Sequence, residues 1–257
     1  MKVVILCGGL GTRLREETEF RPKPMVPIGT RPMVWHIMKF YAHYGFKEFI
    51  LCLGYKGEYI KDYFRNYQWF SNDVTLQLGP APKITYHSQH DEVDWKVTLL
   101  DTGATTMTGG RVRRALAHIP DEEFLLTYGD GLSNVNVPEL IKFHRMQGGL
   151  ATLTAVRPSG RFGELTISDA TITSFREKPD SEVGYINGGF FVVNKKIGEY
   201  LKDDASIFEF DALPKVAEAG QLRAFRHDDF WQCMDNLREV EMLNKLWEKG
   251  NAPWKVW

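Results

Sequence analysis

The chain has 257 residues, 43% of them apolar and 25% charged, enough for one large α/β domain or two small ones. A formal net charge of −1 excludes a basic field that would gather nucleic acid, and no stretch approaches the roughly 18 apolar residues of a membrane span. Cys7, Cys52 and Cys233 are odd in number and lack C-x-x-C spacing, and the apolar run at the start is too short for a secretory leader. The expectation is a soluble, reduced, cytoplasmic protein.

Val3 to Leu6 reads as a buried strand, a run of four β-branched or large aliphatic residues. A glycine-rich turn follows directly: Cys7-Gly8-Gly9-Leu10-Gly11-Thr12-Arg13-Leu14. Glycines let the backbone bend tightly and approach a ligand without a Cβ in the way. Amides along such a turn make a concave anion site, to which Thr12 adds a hydroxyl and Arg13 a fixed positive fork. Further on, Lys23 stands between Pro22 and Pro24, which stiffen its backbone. Together these features point to a nucleoside triphosphate held by its phosphates. A dinucleotide fingerprint would need glycine where Leu14 stands, and a Walker A loop would need Gly-Lys before Ser or Thr. Neither fits.

Pro32 to Tyr44 has helical character, with Pro32 suited to a first turn and Gly45 placed to end it. Phe49 to Leu53 is a second buried strand, and Glu58 to Tyr67 a helix. Ile84 to Tyr86 and Val97 to Leu100 read as strands, Gly110 to Ala117 as a helix start, and Phe124 to Tyr128 as a strand ending at Gly129-Asp130-Gly131. Strands alternating with helices imply a parallel sheet covered on both faces, with ligands at the carboxyl ends of its strands. From Ala151 the pattern changes to Thr-rich alternation, then Glu177-Lys178-Pro179, then Asn187-Gly188-Gly189 before an apolar run. Asp235 to Lys249 closes the chain as an amphipathic helix. The partition expected is one domain over 1–257, with a more mixed second half.

Several residue types here admit two readings. Asp130 between two glycines is either a turn aspartate or a cation ligand. Asp235 either caps the last helix or supplies a second carboxylate. Lys178 is either a solvated surface charge or an anion contact, and Asn187-Gly188 either a turn or a strand mouth. His87, His90 and Asp91 have ligand-like chemistry but nothing beside them to complete a coordination set, so a solvated loop is expected. Cys7 reads as a small buried apolar residue.

Taken in order, Gly8-Gly9-Leu10-Gly11-Thr12-Arg13-Leu14, Pro22-Lys23-Pro24-Met25, Gly129-Asp130-Gly131, Glu177-Lys178-Pro179, Asn187-Gly188-Gly189 and Asp235 resemble the signature of sugar-1-phosphate nucleotidylyltransferases. Asp101-Thr102-Gly103, Met107 to Arg111, Arg161-Phe162-Gly163 and Phe230-Trp231-Gln232 are similar to the branch that joins CTP to glucose 1-phosphate. The resemblance implies a Rossmann-like nucleotidyltransferase fold, a mixed, mostly parallel central sheet flanked by helices. It further implies a nucleotide-binding half over 1–130 and a sugar-phosphate half over 131–257. Leu6, Gly8, Gly9, Leu10, Gly11, Thr12, Arg13, Lys23, Thr105, Gly109, Gly110, Arg111, Gly129 and Asp130 would then surround the nucleotide. Glu177, Lys178, Asn187 and Gly188 would take the sugar phosphate, and Asp130 and Asp235 would hold Mg2+. Lys23, Arg13 and Lys178 would carry the chemistry. UTP or dTTP, another sugar 1-phosphate, or a non-catalytic nucleotide-sugar sensor are the competing readings. The family resemblance also implies a homo-oligomer, a trimer or hexamer.

Overall fold

The computed structural model describes residues 1–157 and 184–257, together with the backbone of the paired strands 163–168 and 171–177. Eight strands form the central sheet: β1 (Val3–Cys7), β2 (Glu48–Leu53), β3 (Lys96–Asp101), β4 (Glu123–Tyr128), β5 (Ala151–Val156), β6 (Ile186–Asn187), β7 (Phe191–Asn194) and β8 (Leu222–His227). The order across it is β6-β5-β7-β4-β1-β2-β3, and β8 pairs with β5. β1, β2, β3 and β4 are parallel, as are β5 and β8, while β7 runs antiparallel to both β4 and β5. The sheet is mixed and mostly parallel.

Alternation along β1 explains why its run of aliphatic residues is unbroken. Val3, Ile5 and Cys7 enter one core with Phe49, Leu51 and Leu125, while Val4 and Leu6 enter the other with Ile50, Phe124 and Leu126. A strand covered on both faces has no polar side to display. One core is closed by α1 (Met33–His43) and α5 (Leu237–Glu248), the other by α3 (Thr108–Ala115) and the 208–216 segment. Helices α2 (Gly57–Arg65) and α4 (Val137–Gln147) complete the flanks.

Several boundaries differ from the sequence expectation for local reasons. Pro32 stays extended (φ −70°, ψ 155°) as the residue before α1, not inside it. Gly45, at φ +87°, ends that helix as expected. The helix expected over 58–67 breaks at Asn66, and a short second helix, Tyr67–Ser71, follows. Residues 83–86 form a strand, but it pairs with Val74–Gln77 as a hairpin outside the central sheet. His90 is not in a solvated loop: its ring packs edge-on against Tyr67 at 4.9 Å. No helix among the described residues is long and apolar enough to cross a membrane.

Candidate active site

The glycine turn leaves the carboxyl end of β1 and is fixed from two directions. Gly11 adopts φ +63°, and the Thr18 hydroxyl donates to its carbonyl at 3.1 Å and to that of Leu14 at 2.9 Å. A Cβ on Gly11 would stand 2.6 Å from the Thr18 methyl, so a side chain is excluded by space as well as by φ. Gly9, Leu10, Thr12 and Arg13 are exposed, and nothing lies within 4 Å of a Cβ built on Gly9. The turn is open on the side where a ligand would approach.

Arg111 lies behind this turn. Its guanidinium donates to the carbonyl of Gly8 at 3.0 Å, to those of Leu53 and Gly103 at 2.8 and 2.9 Å, and to the Thr102 hydroxyl at 2.7 Å. The residue is only 4% exposed, and a Cβ on Gly8 would overlap its guanidinium. Arg111, expected at the nucleotide, braces β1 against β2 from inside the protein. Gly109 and Gly110 open α3 and let it press on the turn at 204–206, where a Cβ would come 2.7 Å from Ser206 O or 2.6 Å from Asp204 Cα. Thr105 is exposed nearby.

Asp130 follows β4, whose ladder with β1 continues one step further through Gly129 N to Leu6 O at 3.0 Å. Gly129 has no room for a Cβ, which would stand 2.8 Å from that same carbonyl. After Asp130 the strand Gly131–Ser133 pairs antiparallel with Trp231–Cys233, Gly131 opposite Cys233. Met234 N then donates to Asp130 O at 2.8 Å. This ladder brings Asp235 beside Asp130.

The helix-cap reading of Asp235 is set aside by its neighbour. Asn236 is the cap of α5: its side chain accepts from Glu239 N at 3.1 Å, and Glu239 returns its carboxylate to the amides of Asn236 and Asp235 at 3.2 and 2.5 Å. With capping assigned to Asn236, the Asp235 carboxylate turns inward. Lys23, in the turn Lys23–Met25 and 9% exposed, meets both aspartates. Its Nζ donates to Asp130 Oδ2 at 2.6 Å and to Asp235 Oδ1 at 2.5 Å, while Arg13 Nη1 donates to Asp235 Oδ2 at 2.8 Å.

Burial works against the Lys23 charge, but the two carboxylates more than offset it and hold the ammonium above its ordinary range. Burial likewise opposes the charge on Asp235, yet hydrogen bonds from Lys23 and Arg13 hold its carboxyl below the usual value. Arg13 is 78% exposed at its side chain, so its pairing with Asp235 contributes little to stability. Cys7 is buried and its thiol is pushed up by desolvation, as expected of a packed, unreactive cysteine.

On the other side of Asp130, β6 and β7 are separated by Gly188, Gly189 and Phe190. A Cβ on Gly188 would come 2.7 Å from Val156, and the Trp231 indole donates to Gly188 O at 2.7 Å. Trp231 thus ties the Asn187 turn to the strand that presents Asp235. Asn187 is exposed at the strand mouth. Glu177 ends the strand Thr171–Glu177, and Lys178 lies outside the described residues.

Local sequence missed Tyr128 and Glu209, which are hydrogen-bonded to one another beside Asn187. Tyr128 had a signal, its place directly before Gly129-Asp130. Glu209 had none. A cleft of about 920 Å³ between α2 and β3 holds none of the expected site residues. The site is located by its convergent charges, not by the size of a cavity.

Residues 2–245 match the family model described as nucleotidyl transferase. The chain belongs to the nucleotidyl transferase family. This nucleotidyl transferase is 49% identical over 258 aligned positions, all of both chains, to the glucose-1-phosphate cytidylyltransferase of Salmonella typhi. It is 46% identical, again over all of both chains, to the probable glucose-1-phosphate cytidylyltransferase of Bacillus subtilis. Among solved structures it resembles HddC from Yersinia pseudotuberculosis complexed with GMP-PN, at TM-score 0.70 and 26% identity over 96% of this chain and 99% of that one. The central sheet and its flanking helices are the Rossmann-like nucleotidyltransferase fold.

Proposed function

We propose that this nucleotidyl transferase joins CTP to glucose 1-phosphate, giving CDP-glucose and pyrophosphate. A phosphate oxygen of the sugar attacks the α-phosphorus, the bond to the β-phosphate breaks, and pyrophosphate leaves. Such a displacement asks little covalent work of the protein and much positioning and charge neutralisation. The observation that carries this reading is the meeting of Lys23 with Asp130 and Asp235 beside the open glycine turn. The choice of CTP and glucose is supported by the names of the relatives at 49% and 46% identity. A D-glycero-alpha-D-manno-heptose 1-phosphate guanylyltransferase of Campylobacter jejuni stands at 31%, over 90% of this chain and 93% of that one.

In this reading the amides from Gly8 to Gly11, with Thr12 and Arg13, grip the triphosphate. Leu6, Leu10, Thr105, Gly109, Gly110, Arg111 and Gly129 surround base and ribose. Lys23 offsets charge that grows at the α-phosphate and on the departing pyrophosphate. Lys178 takes the sugar's phosphate, while Glu177, Asn187 and Gly188 line the sugar.

Asp130 Oδ2 and Asp235 Oδ1 converge on one point, filled here by the ammonium of Lys23. Two hard oxygen donors around a single positive group suit Mg2+, which takes one or two carboxylates plus phosphates and water. When bound there, Mg2+ would supply neutralisation of phosphate charge. Among the described residues no group of three or more His, Cys, Asp or Glu is placed to hold a metal, and in this reading the substrate phosphates would supply further oxygens.

The reading extends to a cytoplasmic homo-oligomer, a trimer or hexamer. Leu76, Leu78 and Ile84 support association, being 45%, 89% and 51% exposed on the hairpin that precedes β3 in the chain. Cys7, Cys52 and Cys233 are all free thiols, which suits a reducing compartment. The deciding experiment measures pyrophosphate release from CTP, UTP, dTTP and GTP with glucose 1-phosphate and magnesium. CTP is expected to be the preferred donor. Preference for another base reassigns the nucleotide, and no turnover with any of them supports a sensor.

A further inference from the structure

Apart from the lysine–carboxylate cluster, one acidic group has contacts that reach both halves of the site. Glu209 lies in a short widened turn, Phe208–Ala212, of the kind often found at functional positions. Its Oε2 accepts from the Thr108 hydroxyl at 2.6 Å, and Thr108 opens α3 directly before Gly109 and Gly110. Its Oε1 accepts from the Tyr128 hydroxyl at 2.6 Å, and Tyr128 ends β4 directly before Gly129 and Asp130. Tyr128 in turn accepts from Asn187 Nδ2 at 3.1 Å, while Asn187 Oδ1 accepts from Gly189 N at 2.9 Å.

The chemistry of a carboxylate gives this chain a direction. An ionised carboxylate only accepts, so both hydroxyls must point their hydrogens at Glu209. The Thr108 oxygen is then left to accept, and it does so from Phe208 N at 2.9 Å. Tyr128 is left to accept too, and only an amide N–H can serve it. Burial and the nearby Glu209 both push the Tyr128 phenol above its ordinary range, so it keeps the proton it donates. The amide of Asn187 therefore has one permitted orientation, oxygen toward Gly189 and nitrogen toward Tyr128. One N–H of that exposed amide is left over for a ligand.

We propose that Glu209 is a positioning residue for sugar recognition: anchored by Thr108, it fixes through Tyr128 the orientation in which Asn187 meets a sugar hydroxyl. The inference rests on the assignment of Asn187 to the sugar. Glu209 itself touches no reacting atom in this scheme. Its effect belongs to the KM for the sugar phosphate, not to the nucleotide or to folding.

The test compares wild type, Glu209→Gln, Asn187→Ala and the double variant, varying glucose 1-phosphate and CTP separately and recording thermal midpoints. Glutamine keeps the size of glutamate but offers one acceptor oxygen where the carboxylate offers two, so an N–H must face Thr108 or Tyr128 and the chain loses either its anchor or its direction. Glu209→Gln is expected to raise the KM for glucose 1-phosphate about tenfold, while the KM for CTP changes by less than about threefold and the midpoint stays in place. Asn187→Ala should raise the same KM at least as much, and adding Glu209→Gln should bring no further loss. A wild-type sugar KM in Glu209→Gln, an equal rise for both substrates, or multiplying effects in the double variant overturns the inference. A wild-type sugar KM in Asn187→Ala overturns the sugar assignment of Asn187, and the inference with it. Should Glu209→Gln fail to fold, Tyr128→Phe removes the connecting hydroxyl and leaves the carboxylate. It carries the same expected selective KM rise, and its absence has the same force.

Discussion

The carboxylates of Asp130 and Asp235 reach the same atom, Nζ of Lys23, at 2.6 and 2.5 Å. They meet because the ladder of Gly131–Ser133 with Trp231–Cys233 aligns the residues on either side of it. Lys23→Ala is expected to lower turnover by about 100-fold or more, the loss seen when one transition-state donor is removed. Steady-state pyrophosphate release measures this. Wild-type turnover in the variant would remove Lys23 from the mechanism.

On the proposed Mg2+ site, lysine and metal would compete for the same two oxygens. Magnesium titrated without nucleotide should bind wild type weakly, since the ammonium already compensates the carboxylates. Lys23→Ala leaves those charges facing each other, and its affinity for magnesium alone should rise about tenfold or more. Calorimetric titration reads the difference. Asp130→Asn and Asp235→Asn should each abolish the gain, and an equal affinity in wild type and Lys23→Ala would contradict the competition.

Arg111 ties the carbonyls of Gly8, Leu53 and Gly103 together from inside the protein. Arg111→Met fills much of the volume but leaves those buried acceptors without their donor. The expected cost is about 2–4 kcal/mol, read as a lower urea midpoint at unchanged slope. Because Gly8 begins the glycine turn proposed to grip the triphosphate, the KM for nucleotide should rise as well. An unaltered midpoint would show that the brace contributes nothing.

His36 is fully buried, with Nε2 against Ile28 O at 2.9 Å and the Trp254 indole directed at Nδ1 at 3.4 Å. Those partners assign the proton to Nε2 and require a neutral ring. Burial lowers its pKa to about 4 from 6.5. The unfolded chain therefore takes up a proton before the folded one does, and stability falls as pH drops from 6.5 toward 4. The loss is on the order of 3 kcal/mol across that window. Chemical denaturation at a series of pH values tests this, and His36→Gln, whatever its own cost, should flatten the slope between pH 6.5 and 4.

Much of the fold was legible because it is written in local chemistry. Val3 to Leu6 and Phe49 to Leu53 read as strands because a parallel sheet buried on both faces demands unbroken aliphatic runs. Gly45 announced the end of α1 because few other residues tolerate its φ. The glycine turn, Lys23 and Asp130 were legible for the same reason: each is marked by the residues beside it. Where the expectation moved, a neighbour decided. Asn236, not Asp235, caps α5, and residues 83–86 found their partner in 74–77, outside the main sheet.

Periodicity and turn chemistry act over a few residues, and by themselves they determined the parallel strands, the glycine turn and the list of charged candidates. Which candidates meet was decided only in three dimensions. The pairing of Asp130 with Asp235, the place of Arg111 behind Gly8 and the reach of Glu209 to Tyr128 all depend on strand register between distant segments. Register is set by the packing of whole faces against each other, a sum over many contacts that no short stretch of sequence contains.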